Sequence, residues 1–117
     1  MRQLAILLPA LVLAGCGTGE APPRRLTQEQ SAALRPADAR LAGLYDNSCR
    51  ACHTVKDSLA PLTGDRTLWD PRWTQGEAAL LSAVLQGKKA MPAGGQCFTC
   101  TADDYRALIR FMAGRDS

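Results

Sequence analysis

Five cysteines and a single histidine are the features that most restrict what this 117-residue chain can fold into. Four of the cysteines form two C-x-x-C pairs, Cys49 with Cys52 and Cys97 with Cys100, while Cys16 stands alone near the amino end. A chain of this length forms one small domain, and so small a core usually depends on a disulfide, a metal or a cofactor. The cysteines are therefore the first candidates for what stabilises the fold.

Composition narrows the function classes further. Hydrophobic residues make up 46% and charged residues 21% of the chain, which is typical of a globular domain and not of a disordered one. The net charge of +3 is scattered and forms no basic cluster with interleaved aromatic residues, so we expect no nucleic-acid binding. Aromatic residues are only 5%, so the core has little bulk of its own.

The amino-terminal residues indicate an export signal and not a part of the fold. Arg2 precedes an apolar run from Leu4 to Leu13, which is too short for a membrane-spanning helix of about 20 residues. The sequence Leu-Ala-Gly-Cys that follows resembles the lipobox of bacterial lipoproteins, which implies cleavage after residue 15 and lipidation of Cys16. An ordinary secretory signal and an uncleaved amino-terminal helix are the alternatives.

Residues 16–35 are predicted to be a lipidated amino end followed by a flexible tether, and residues 36–117 the folded domain. Gly, Pro, Gln and charged residues dominate the tether, although a short helix is possible near residues 26–34. We expect a monomer anchored by its lipid at the periplasmic face of a bacterial membrane. The outer membrane is favoured by analogy with enteric lipoproteins, because Gly17 and not Asp follows Cys16.

The predicted domain is all-α, because apolar residues recur at helical spacings and no segment alternates as a strand does. Start and stop signals delimit three main helices, at Pro36 for the first, Thr74, Glu77 and Gly87 for the second, and Thr101 and Gly114 for the third. The buried faces are predicted to be Leu41, Leu44, Tyr45 and Ser48, then Leu80, Leu81, Val84 and Leu85, then Tyr105, Leu108, Ile109 and Met112. A fourth, short helix is predicted from Asp65 to Trp69, broken by Pro71.

The pentapeptide Cys-Arg-Ala-Cys-His at residues 49–53 carries the candidate chemistry. C-x-x-C-H is the attachment signature of c-type haem. Two thiols three positions apart at a helix end can bond to two vinyl groups on one porphyrin edge, and the adjacent His53 then reaches the iron. Such a ligand is a neutral imidazole whose other ring nitrogen is held by a hydrogen bond. Export supports this interpretation, as does the fact that His53 is the only histidine.

Met91 is the candidate sixth ligand. It lies in a Gly- and Pro-rich loop, where a methionine has little helix to pack against, whereas Met112 fits the apolar stripe of the last helix. Pro92 restricts the backbone beside the sulfur. An ordinary loop methionine is the alternative interpretation.

The chain resembles the class I monohaem cytochromes c, and within them the cytochrome c5-like group. The resemblance rests on four blocks, C-R-A-C-H at 49–53, A-P-L-T-G-D at 60–65, W-D-P-R at 69–72 and A-M-P-A-G-G-Q-C-F-T-C at 90–100. It implies a small cytochrome c fold in which the helices pack round one covalently attached haem c. It also implies a disulfide between Cys97 and Cys100, and a Pro61 carbonyl that accepts a hydrogen bond from the proximal histidine.

The same resemblance implies a crossing of the first and last helices at Tyr45, Leu108 and Phe111. One departure is visible, because the family commonly has glycine eight residues before the first haem cysteine, where this chain has Leu41. The crossing is therefore expected to be shifted or wider.

Three other accounts of the cysteines stay open at this point. The two C-x-x-C pairs could form a four-cysteine zinc site, although the 44-residue gap between them is long and export disfavours free thiolates. A thioredoxin-like thiol oxidoreductase would need a strand before its motif. The third alternative is a domain held only by structural disulfides.

Ligation by histidine and methionine leaves no open position on iron, so we expect a one-electron carrier and not an enzyme. The alternatives are a haem subunit of a larger periplasmic or membrane oxidoreductase, and a haem-based sensor. We expect redox protein partners of unknown identity, for which the basic residues Arg50, Lys56, Lys88 and Lys89 form either a docking rim or merely a solvated surface.

Two tryptophans and an arginine follow the second block of the resemblance. Trp69 is predicted to lie near the haem, either through an N–H directed at a propionate or as core beneath the ring. Arg72 is a second candidate for a propionate, and Trp73 has no assigned role.

Overall fold

The computed structural model describes residues 22–116 of the chain. The predicted signal peptide, residues 1–15, and Cys16 lie outside the described residues. The helices, in chain order, are α1 (Gln28–Ala33), α2 (Ala39–Ser48), α3 (Arg50–His53), α4 (Arg66–Trp73), α5 (Glu77–Gln86) and α6 (Ala102–Met112), with 3₁₀ turns at Lys56–Ser58 and Ala93–Gln96. No strand occurs in residues 22–116, so the predicted all-α class is confirmed.

The crossing of α2 and α6 forms the centre of the core. The ring of Tyr45 meets that of Phe111 edge to face, with centroids 5.1 Å apart, and Leu108 and Met112 fill the space around them. Leu41, at the position of the family's glycine, packs partly buried against this cluster. A second cluster joins α5 to α6 and consists of Leu81, Cys97, Tyr105 and Ile109.

Helix α6 follows its sequence prediction closely. Thr101 and Asp104 form a reciprocal capping box at its start, and the predicted apolar stripe is buried along its length. Gly114, just past the end, has a positive φ of 66°. Its amphipathic pattern spans eleven residues and several turns, so the periodicity is unambiguous.

The starts of two helices and the end of a third differ from prediction. Helix α2 begins at Ala39 and not at Pro36, because the Asp38 side chain accepts a hydrogen bond from the Leu41 N–H at 2.8 Å. The predicted Thr74 cap of α5 is wrong, because Gly76, with a φ of 88°, is the residue that directly precedes the helix. Helix α4 runs on to Trp73 through Pro71, which forgoes only one intrahelical hydrogen bond.

Two further details of the buried faces were wrong or incomplete. Leu85, predicted to be buried on α5, is 47% exposed, so the apolar face of that helix is narrower than its sequence indicated. Tyr45 is fully buried, and its hydroxyl donates to Thr63 Oγ1 at 2.9 Å. Thr63 is fully buried as well, which the sequence alone did not indicate.

The segment 26–34 packs on the domain, although it was predicted to belong to the tether. Thr27 and Gln30 form a capping box at the start of α1, and Ser31 is fully buried. We call residues 26–34 the amino-terminal strap. None of the described helices is long and apolar enough to cross a bilayer.

Candidate haem-binding site

The C-x-x-C-H motif lies on the short helix α3, which continues α2 after a break at Cys49. The Cys49 N–H donates to Tyr45 at 3.0 Å, and the His53 N–H donates to the Cys49 carbonyl at 3.0 Å. Cys49 and Cys52 are therefore about one helical turn apart, and both are free thiols. Cys49 packs against the core, and burial raises its pKa to about 11, whereas Cys52 is exposed.

His53 is buried, and its ring is held from two sides. Its Nδ1 lies 2.9 Å from the Pro61 carbonyl, which can only accept, so Nδ1 carries the proton and Nε2 keeps its lone pair. The Trp69 ring stacks on the imidazole at 5.8 Å between centroids, with 26° between the planes. Burial lowers the pKa of His53, which favours the neutral imidazole that a metal ligand requires.

The loop between His53 and α4 is closed by its own hydrogen bonds. The Thr63 N–H donates to the His53 carbonyl at 2.7 Å, and the Trp69 indole N–H donates to the Leu62 carbonyl at 2.9 Å. Asp65, almost fully buried, accepts from the Thr67 N–H and so starts α4. We call residues 53–65 the proximal loop.

In the structure the Trp69 N–H and the Arg72 guanidinium, both candidates for a propionate, have hydrogen-bond partners within the protein. The Trp69 N–H is committed to the Leu62 carbonyl, so it is not directed at a carboxylate. The Arg72 guanidinium donates to the Leu68 carbonyl within its own helix. Trp69 therefore contributes by packing on His53, while Trp73 receives the Arg115 guanidinium over its ring at 5.1 Å.

The amino-terminal strap lies against the motif and the proximal loop. Four hydrogen bonds join them. Three run from the Arg50 side chain to the Ala32 carbonyl, from the Lys56 N–H to the Gln28 side chain, and from the Leu26 N–H to the Asp65 carboxylate. In the fourth, the Ser31 hydroxyl donates to the His53 carbonyl at 3.4 Å. Sequence reasoning missed this contact, although Thr27 and Gln30 match the capping-box pattern that starts a helix.

Met91 belongs to a different loop, which packs against α5. Its backbone pairs with Lys88 through two hydrogen bonds of 3.0 and 3.1 Å, and its side chain is half-buried. Residues 94–96, which follow, all have positive φ values, of 68°, 55° and 62°. A disulfide joins Cys97 to Cys100 directly after them. We call residues 87–97 the methionine loop.

The disulfide decides between the open accounts of the cysteines. Cys97 and Cys100 are bonded to each other, so they cannot supply thiolates to a four-cysteine zinc site. Within residues 22–116, no group of three or more His, Cys, Asp or Glu side chains is placed to hold a metal ion. Neither C-x-x-C pair follows a strand in these residues, which excludes the thioredoxin-like arrangement there.

The residues present fit a covalently attached haem. Two free thiols a helical turn apart can each form a thioether, and the adjacent imidazole keeps its Nε2 lone pair while Pro61 holds Nδ1. The half-buried Met91 thioether is a soft ligand of the kind that low-spin haem iron accepts. His53, Pro61 and Trp69 are thus brought together, and Met91 comes from the loop after α5.

Comparison with known proteins agrees with this arrangement. Residues 36–112 match the family described as cytochrome c oxidase, cbb3-type, subunit III. Cytochrome c5 of Azotobacter vinelandii is 38% identical over 68 residues, which cover 56% of this chain and 82% of that protein. Cytochrome c-555 of Chlorobaculum tepidum is 35% identical over 75 residues, 61% of this chain and 69% of that protein.

A solved structure shows the same likeness. It is the cytochrome c in a crystal structure of an electron transfer complex with nitrite reductase, at 35% identity and a TM-score of 0.59. The match covers 68% of this chain and 98% of that one. Membership of such a family implies one covalently attached haem c and an electron carrier, not an enzyme. The chain therefore belongs to the cytochrome c family, as a class I monohaem cytochrome of the cytochrome c5-like group.

Proposed function

We propose that this protein is a lipid-anchored periplasmic carrier that moves single electrons between redox proteins. Cys49 and Cys52 would hold the haem through thioethers, and His53 and Met91 would ligate its iron. The observation that carries the proposal is the imidazole of His53, buried and fixed by Pro61 next to two free thiols. Haem c supplies reversible one-electron chemistry when bound.

The role of the surrounding residues is to fix the orientation of the iron ligands. The Pro61 carbonyl orients the imidazole and fixes its tautomer, and such partners also raise ligand basicity. Trp69 stacks on the ring and so limits its movement. Two protein ligands held in this way would leave no open position on the iron, which suits a carrier.

The test of ligation is a purified, exported holoprotein. We expect a red protein whose colour survives acid-acetone extraction, because the thioethers are covalent. Met91→His should keep a low-spin spectrum, lose the red charge-transfer band of sulfur-ligated ferric haem and lower the reduction potential. A wild-type holoprotein without that band would contradict ligation by Met91, and a colourless preparation would contradict haem attachment.

Anchoring through Cys16 is the second part of the proposal. Because the strap packs on the domain, the proposed tether shortens to residues 16–25, and a flexible chain of that length would have a root-mean-square reach of about 17 Å. The domain would therefore work close to the lipid headgroups. Cys16→Ser should move the protein from the membrane to the soluble periplasmic fraction, and its retention on the membrane would refute lipidation at this residue.

The docking rim proposed for redox partners should include only three of its four predicted basic residues. Lys56, Lys88 and Lys89 are exposed, but Arg50 donates to the Ala32 carbonyl and lies 3.7 Å from Asp46, so it is not free to meet a partner. The structural neighbour was captured in a complex with nitrite reductase, so a reductase of that kind is a practical probe. Electron transfer to it should slow as salt rises. If the rate of electron transfer does not change with salt concentration, these lysines serve solubility and not docking.

A haem subunit of a larger oxidoreductase is the second candidate, favoured by the family description of an oxidase subunit. Detergent extraction of native membranes separates the two. A carrier should run alone, whereas a subunit should co-purify with an enzyme in fixed proportion.

A further inference from the structure

The methionine loop is tied to helix α6 by one buried hydroxyl. The Tyr105 side chain is 9% exposed, and its Oη lies 3.0 Å from the Gly94 carbonyl and 2.9 Å from the Cys97 carbonyl. A phenol has a single proton, so these two acceptors share it. The hydroxyl therefore brackets the turn that follows Met91.

That turn has few other hydrogen bonds and an unfavourable backbone. Gly94, Gly95 and Gln96 are consecutive residues with positive φ, a run that side chains disfavour. The remaining local bonds are from Gly95 to Pro92 and from Cys97 to Gly94, both within the loop itself. The hydroxyl of Tyr105 is thus the hydrogen-bond donor that joins the turn to a rigid helix.

The fit around the hydroxyl is close. A Cβ added at Gly94 would lie 2.9 Å from Tyr105 Oη, so only glycine leaves the phenol its place. A Cβ added at Gly95 would lie 3.4 Å from Cε of Met91, which shows that the turn packs directly on the methionine. Any shift of the turn therefore reaches the methionine side chain.

We propose that Tyr105 is the positioning residue of the axial methionine: its hydroxyl holds residues 94–97 in the conformation that presents the Met91 sulfur to the haem iron. This inference rests on the proposed ligation by Met91. Tyr105 acts through the backbone of the turn, whose Gly94 and Cys97 carbonyls accept from its hydroxyl. Losing the hydroxyl leaves two carbonyls with one donor fewer and frees the turn to move.

The experiment compares Tyr105→Phe with Tyr45→Phe in the ferric holoprotein. Tyr45 is a matched control, because it also donates one buried hydrogen bond, but to Thr63 on the proximal side. Loss of one such bond changes an equilibrium by about fivefold. We expect Tyr105→Phe to tighten the binding of added imidazole about fivefold and to weaken the sulfur charge-transfer band, while Tyr45→Phe changes neither, even if both lower the melting temperature.

Two results would overturn the inference in different ways. If wild type shows the band and Tyr105→Phe binds imidazole like Tyr45→Phe, Tyr105 does not position the ligand, although Met91 still ligates. If wild type lacks the band, ligation by Met91 fails, and the role of Tyr105 fails with it.

A second variant tests the same contact from the side of the turn, in a double-mutant cycle with Tyr105→Phe. Gly94→Ala places its Cβ against the hydroxyl, so it should also tighten imidazole binding. In the Tyr105→Phe background the same change meets no hydroxyl and should add less than it does in wild type. Equal effects of Gly94→Ala in both backgrounds would contradict the proposal.

Discussion

The two loops that bear the candidate ligands are built in opposite ways. In the proximal loop, His53 is 7% exposed, both its ring and its backbone carbonyl are hydrogen-bonded, and the strap closes the outside. In the methionine loop, Met91 is half-buried and is followed by three residues with positive φ. A ligand at a helix end inherits regular hydrogen bonds, whereas a ligand in an irregular loop depends on a few particular ones. The methionine side should therefore open first.

The largest expected effect separates the two ligands outright. His53→Ala removes the group that the whole proximal loop is arranged to hold, so we expect little or no stable holoprotein to accumulate. Met91→Ala should still yield holoprotein, with an open position that binds carbon monoxide rapidly in the ferrous state. The haem content of each variant measures how much holoprotein accumulates, and the kinetics of carbon monoxide binding measure whether a position on the iron is open. Equal losses of holoprotein would show that the two loops matter alike for assembly.

The next effect concerns the strap. A chain that begins at residue 36 lacks the hydrogen bonds to Arg50, Lys56 and Asp65, as well as the packing of Leu26 and Leu34 against Gly64. We expect a loss of about 2–4 kcal/mol, and thus a melting temperature lower by roughly 10 °C or more.

The control is a chain that begins at residue 24, which keeps the whole strap. It should melt like the full-length protein. Both truncated chains are exported behind the same cleavable signal, and the melting temperature is measured on the holoprotein. If the two truncated chains have the same melting temperature, the strap does not stabilise the proximal loop.

A pair of glycines tests how tightly the methionine loop is built. Gly87 has a φ of 80°, and a Cβ there would lie 2.9 Å from backbone atoms of Met91 and Ala93. Gly87→Ala should therefore destabilise by about 1–3 kcal/mol and weaken the sulfur charge-transfer band. Gly43→Ala is the control, because a Cβ at Gly43 meets open space within α2. This substitution should raise the free energy of unfolding by about 0.5–1 kcal/mol. Thermal unfolding of the two holoproteins with equal melting temperatures would contradict the prediction.

The smallest effect lies at the start of α6, which follows the methionine loop. The Arg40 guanidinium and the cap at Thr101 hold the pKa of Asp104 well below its usual range. The stability that the ionised Asp104 carboxylate contributes is fully present above the ordinary carboxyl pKa, and it is lost as pH falls below about 4. Asp104→Asn should lower the melting temperature at pH 7, and the difference from wild type should shrink in acid.

Asp103→Asn is the control for this titration, because the Asp103 side chain is 94% exposed and pairs only with Arg106 at the surface. It should change the melting temperature little at any pH. A difference between wild type and Asp104→Asn that stays constant down to low pH would show that the Arg40 contact does not depress this pKa.

Much of the site could be predicted because its signals are local. Two cysteines and a histidine within five residues share one helical turn wherever that helix packs, and the stripe of α6 extends over eleven residues. The misses have physical reasons too. The strap helix spans only six residues, too few for a periodic pattern, and Gly76 displaced the cap expected at Thr74.

Residue types and their spacing along one helical turn identify the side chains that carry the chemistry, because neither depends on the rest of the fold. The partners that hold these groups are visible only in the folded protein: the Leu62 carbonyl for Trp69, the Gly94 and Cys97 carbonyls for Tyr105, and the strap for the proximal loop. Those partners are backbone groups, which every residue carries alike. Their choice follows from how the helices pack, and residue types alone do not encode it.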